Sequence, residues 1–115
     1  MNTLSQEHCA PINATSNQID DNEASQLLKG LDGWEIHSKG NEPRLEKSFK
    51  FDDFKQALDF TLRVGQLADE EDHHPALLTE WGKVTVDWWT HKIKGLHRND
   101  FIMAAKTEEL NNKGR

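Results

Sequence analysis

Apolar positions along this chain follow two rhythms. From Trp34 to Phe51 they alternate: Trp34 and Ile36 share one face, and Leu45, Phe49 and Phe51 share another set. A period of two predicts strands. Between them lies the turn-rich stretch Ser38-Lys39-Gly40-Asn41-Glu42-Pro43, so the region reads as a hairpin with a loose loop. Leu77–Glu80 and Val84–His91 repeat the design around Trp81-Gly82-Lys83, where Gly82 supplies the permissive turn residue. Val84, Val86 and Trp88 share one face of this last strand; Thr85, Asp87, Trp89 and His91 share the other.

The second rhythm is helical. From Asp53 to about Glu70, with Asp52 as N-cap, the polar residues Lys55, Gln56, Asp59, Arg63 and Gln66 fall within an arc of roughly 100°. Phe54, Leu58, Leu62 and Gly65 form one apolar side; Phe60, Val64 and Leu67 form another. That is more apolar surface than one sheet face covers, and it predicts a second contact, with the other helices or with a partner subunit. A shorter helix is expected from near Asn22 to Lys29, capped by Asp20 or Asp21 and ended by a left-handed Gly30. A last one begins near Arg98, carries Phe101, Ile102, Ala105 and Leu110, and frays from Asn111 to Arg115.

The order is helix, hairpin, helix, hairpin, helix. It predicts an α+β fold: a four-stranded antiparallel sheet with helices on one face. Residues 1–20 are rich in Asn, Ser, Gln and Thr without apolar periodicity, and read as a flexible tail ahead of a single domain at 21–115. With 115 residues, one domain is the natural division.

Charge narrows the function. The formal net charge is -6, which disfavours nonspecific nucleic-acid binding and gives no attraction to an anionic membrane. No apolar run approaches the roughly 20 residues of a membrane span, and Met1–Ala10 is not built like a secretory signal. The single cysteine, Cys9, cannot form an internal disulfide, so the cytoplasm is the expected location. With His8 it makes a poor metal pair; an unpaired surface thiol is the better reading.

The candidate chemistry lies in Asp72-His73-His74-Pro75 and in His91. Pro75 restricts His74 to extended conformations at a helix-to-sheet junction. The second hairpin runs out from His74 and returns to His91, so three imidazoles are expected near one sheet edge. Adjacent histidines in an extended segment point to opposite sides, which suits one metal poorly. Neutral-range imidazoles can instead offer an acid and a base together. Surface histidines without a task remain the bland alternative.

Asp69-x-x-x-His73-His74-Pro75, followed by Trp81, His91 and Asp100, resembles the signature of the pterin-4a-carbinolamine dehydratases. Gly33-Trp34, Phe51-x-x-Phe54 and Gly95-Leu96 extend the likeness, and His73 to Thr107 is most similar to bacterial members that accompany phenylalanine hydroxylase. The resemblance implies a dimer or tetramer that dehydrates 4a-hydroxytetrahydropterin to quinonoid dihydropterin, without metal or organic cofactor. It would thereby recycle the cofactor of phenylalanine hydroxylase. It also implies His73 and His91 as the proton-transfer pair and His74 as the residue that binds and orients the pterin. Pro75, Thr90, Lys92 and Ile93 would line the ring. Asp72 would orient an imidazole, with Asp69 and Asp100 as further contributors. Where relatives carry Gly-Gly-Leu-Thr, this chain has Lys94-Gly95-Leu96-His97, and His97 is expected to cap the last helix less well than Thr. The competing function is a non-catalytic binding module, since vertebrate relatives act as coactivators that stabilise a transcription-factor dimer.

Overall fold

The computed structural model describes residues 4–113. The elements are α1 (Asp21–Leu28), β1 (Glu35–Lys39), β2 (Glu42–Lys50), α2 (Phe54–Glu71), β3 (Ala76–Glu80), β4 (Lys83–Trp88) and α3 (Arg98–Lys113). The strands form one antiparallel sheet in the order β1-β2-β4-β3, and the helices pack on it, as the two rhythms predict. The hairpins join through their second strands, with Leu45 opposite Trp88 and Phe49 opposite Val84. This pairing decides where the site lies, because it brings the start of β2 beside the end of β4.

Both turns are tighter than the sequence suggests. Lys39 pairs with Glu42, so the first loop is only Gly40-Asn41, both left-handed at φ 58° and 67°. Glycine and asparagine tolerate that conformation, which matches the strand twist of a two-residue hairpin. In the second hairpin Glu80 pairs with Lys83, leaving Trp81-Gly82 as the turn. β4 ends at Trp88, so His91 lies beyond the strand rather than at its end.

The helix ends show three further differences. Asp53, not Asp52, caps α2, its carboxylate accepting from the Gln56 N–H at 2.8 Å. Asp20 caps α1 by accepting from the Glu23 N–H. α1 ends without a left-handed Gly30: the N–H groups of Gly30 and Leu31 bond back three residues, and Gly33 takes the positive φ instead. α3 stays helical to Lys113, through most of the segment expected to fray; residues 114 and 115 lie outside the described residues.

The core sits between sheet and helices. Leu45, Phe49, Val84, Val86 and Trp88 meet Ala57, Phe60, Val64 and Ala68 of α2 and Phe101–Ala105 of α3. Phe60 stacks obliquely on Phe49 and Phe51 at 4.9 and 5.1 Å, pairs each worth roughly 0.5–1.5 kcal/mol beyond area burial. Buried Trp88 donates its indole N–H to Thr107. The other apolar side of α2 is left uncovered by the chain: Phe54, Leu58 and Leu62 are exposed.

The first residues were expected to be featureless. The segment from Leu4 instead lies along the domain. Leu4 is buried beneath a 3-10 turn spanning Leu4–Gln6, and the Lys106 ammonium donates to the Ser5 carbonyl. Residues 1–3 of that segment lie outside the described residues.

Candidate functional site

The histidine site begins with the way α2 ends. Asp72 is left-handed at φ 52°, its N–H bonding to the Asp69 carbonyl and the His73 N–H to the Ala68 carbonyl. This paired closure satisfies the last helical carbonyls and turns the chain sharply. His73 then points inward and His74 outward, the opposed arrangement an extended pair requires.

His73 is buried. Its Nε2–H donates to Asp100 Oδ1 at 2.6 Å, and its ring stacks nearly parallel to Trp88 at 6.0 Å. Asp100 is wholly buried at the start of α3. Its second oxygen accepts from the Thr90 hydroxyl at 2.8 Å and the His97 N–H at 2.9 Å. The carboxylate therefore gathers three donors at a helix N-terminus, whose dipole also favours negative charge.

The same contact explains the cap. His97 Nδ1 accepts from the Asn99 N–H at 3.0 Å while Asp100 takes the His97 N–H. A histidine here still caps the helix, reaching the N–H of the second helical residue while the third returns the bond.

His74 is exposed and donates from Nε2 to Asp69 at 3.0 Å. His91 opens a 3-10 turn, His91–Ile93, closed by left-handed Lys94 and a Thr90–Gly95 bridge. Its exposed ring donates from Nδ1 to Glu42 at 3.2 Å. Each imidazole thus has its own carboxylate. The oriented partners are Asp100, Asp69 and Glu42; Asp72, expected in that role, contributes its backbone handedness instead.

These residues open on one cleft of about 410 Å³. It is lined by His73, His74, His91, Asp72, Thr90 and Lys92, together with Trp89, Glu71 and the N-terminal residues Cys9, Ala10, Pro11 and Ile12. Pro75, Ile93, Asp69 and Asp100 are not among its lining residues, although Asp69 and Asp100 hold two of the imidazoles. A cleft of similar size, about 390 Å³, lies between the start of α2 and the end of α3 and contains no histidine. Among the described residues, no three His, Cys, Asp or Glu groups form a metal-holding cluster.

Sequence reasoning missed Glu42 and the N-terminal lining. Glu42 had no signal beyond its place in a turn. Cys9 is half-buried rather than a surface thiol, and burial, then Glu71 and Asp100, push it up to about 12. Burial also acts to raise Glu71, but the Cys9 N–H, His8 and Lys106 outweigh it and hold the carboxyl below its ordinary value.

A model of the family described as Pterin 4 alpha carbinolamine dehydratase matches residues 17–110. Among solved structures, a transcriptional coactivator/pterin dehydratase from Brucella melitensis is similar: 33% identity, 82% of this chain and 98% of that chain covered, TM-score 0.73. A pterin dehydratase-like protein identified as a RuBisCO assembly factor in the alpha-carboxysome shares the fold at 23% identity, covering 68% of this chain and 88% of that one, with TM-score 0.57.

Asp100→Ala would leave the His73 ring, the Thr90 hydroxyl and the His97 N–H without their common acceptor. The expected loss is about 3 kcal/mol or more of unfolding free energy in urea titration. Glu71 gives a pH test. Its folded pKa is depressed, so its contribution is present above the unfolded value and is lost as pH falls through the folded value. The stability advantage of wild type over Glu71→Gln is therefore expected to be constant near neutrality and to shrink below the ordinary glutamate range, read by denaturation at stepped pH.

Proposed function

The chain belongs to the pterin 4 alpha carbinolamine dehydratase family, and on that premise we propose that it is an active dehydratase of 4a-hydroxytetrahydropterin. One observation carries this reading: three imidazoles, each bonded to a separate carboxylate, open on a single cleft. A scaffold has no need of such an arrangement.

The reaction breaks the bond between carbon 4a and its hydroxyl. One group delivers a proton to the departing oxygen, and another removes the proton from the adjacent ring nitrogen, whose electron pair forms the new C=N bond. His73 and His91 are the proton-transfer pair in this reading. With Nε2 of His73 and Nδ1 of His91 engaged by carboxylates, Nδ1 of the first and Nε2 of the second are the atoms that exchange protons. His74 orients the ring, and Thr90 and Lys92 border it. The step needs no metal or organic cofactor. The product's reduction would return tetrahydropterin to phenylalanine hydroxylase, a role supported by the likeness to bacterial members that accompany that enzyme. The cytoplasm is the compartment that fits this role. No helix of the described residues is long and apolar enough to cross a membrane.

The exposed Phe54, Leu58 and Leu62 support assembly as a homodimer or homotetramer. The same face would serve a coactivator-type partner, the competing reading.

Dehydration of chemically generated 4a-hydroxytetrahydropterin tests the enzyme. His73→Ala and His91→Ala are each expected to lower kcat/KM by about 100- to 10,000-fold while the fold persists by circular dichroism. A wild type that does not accelerate water loss ends the proposal. For assembly, Leu58→Asp combined with Leu62→Asp is expected to reduce the solution mass to that of a monomer in sedimentation. A monomeric wild type would overturn self-association.

A further inference from the structure

The lining residues Cys9 to Ile12 stand ahead of residue 17, where the family match begins. They are fastened at several points. The Glu71 carboxylate takes the Cys9 N–H at 2.9 Å and His8 Nδ1–H at 2.9 Å. The Asn99 side-chain amide grips Ala10 at both ends of its backbone, accepting from its N–H at 2.9 Å and donating to its carbonyl at 2.8 Å. Upstream, Arg98 holds Glu7 through two nitrogens at 2.7 and 3.0 Å. Downstream, the Lys92 ammonium reaches the Ile12 carbonyl at 3.4 Å.

Asn99 is itself buried, and its neighbour Asp100 holds His73. One turn of α3 therefore positions both the segment and the buried imidazole. The segment brings Ala10, Pro11 and half-buried Ile12 to the cleft, in addition to the apolar ring of Trp89, whereas residues 71–74 and 90–92 bring mainly polar side chains. A flat heterocycle needs both: polar edges to be read and an apolar surface against its face.

We propose that the N-terminal segment is a wall of the pterin site, with Pro11 and Ile12 as substrate-binding residues and Asn99 as the positioning residue that clamps them. The proposal rests on the pterin dehydratase reading. It assigns the segment to substrate affinity and not to proton transfer.

Two variants of the full chain test it. Asn99→Leu removes the clamp at similar volume, and faster endoproteinase Glu-C cleavage after Glu7 reports release of the segment. Pro11→Gly with Ile12→Gly keeps the clamp and removes the apolar wall. Each is expected to raise KM roughly fivefold, the effect of losing part of one aliphatic contact, with kcat within about twofold of wild type. The dissociation constant for 7,8-dihydropterin, a stable pterin measured by calorimetry, is expected to rise in parallel. Wild-type dihydropterin affinity in the glycine variant, or in Asn99→Leu after demonstrated release, would overturn the wall; so would a loss confined to kcat. If wild type binds dihydropterin but does not dehydrate the carbinolamine, the enzyme reading fails alone, and the affinity comparison still decides the wall. Should Asn99→Leu not fold, the glycine variant decides it.

Discussion

The site and the packing around it depend on one buried carboxylate. Asp100 carries no exposed surface, and removing a charge from water costs several kcal/mol unless donors surround it. Three donors do so here, from the second residue past α2, from the segment after β4 and from the residue before α3. Meeting the needs of that one anion makes three separate parts of the chain converge. The imidazole thereby gains a fixed orientation from a contact that also seats a helix.

The three histidines occupy graded environments despite their common chemistry. His73 is enclosed and stacked on an indole, whereas His74 and His91 stand in solvent with their carboxylates at the rim. The hairpin pairing accounts for the last of these. Because β2 and β4 are adjacent and antiparallel, Glu42 at the start of one reaches His91 just past the end of the other. A loose first loop would have left Glu42 without a fixed position; the two-residue turn at Gly40-Asn41 removes that freedom.

Much of the fold was legible because period determines face. Val84, Val86 and Trp88 are buried as their alternation requires, and α2 buries Phe60 and Val64 while leaving Leu58 and Leu62 outside. Boundaries were less legible, since adjacent residues such as Asp52 and Asp53 cap equally well on paper and only the helix register chooses between them. At the site, the imidazoles could be named from spacing and resemblance. Glu42 and the Cys9–Ile12 segment could not, because their roles arise from contacts across long stretches of chain. That His97 caps the last helix at all was not legible either, because its ring nitrogen accepts the Asn99 N–H only in the geometry the fold provides.

The left-handed turn at Asp72 has a consequence for how such sites vary. The chain delivers His73 toward the core through the left-handed backbone of the preceding residue, and Asp100 then fixes the ring. Asparagine or glycine at 72 could therefore serve the same geometry, while valine or isoleucine, which resist positive φ, would redirect the imidazole without altering any group that touches it. Substitution tolerance at this position should follow conformational permissiveness before side-chain size.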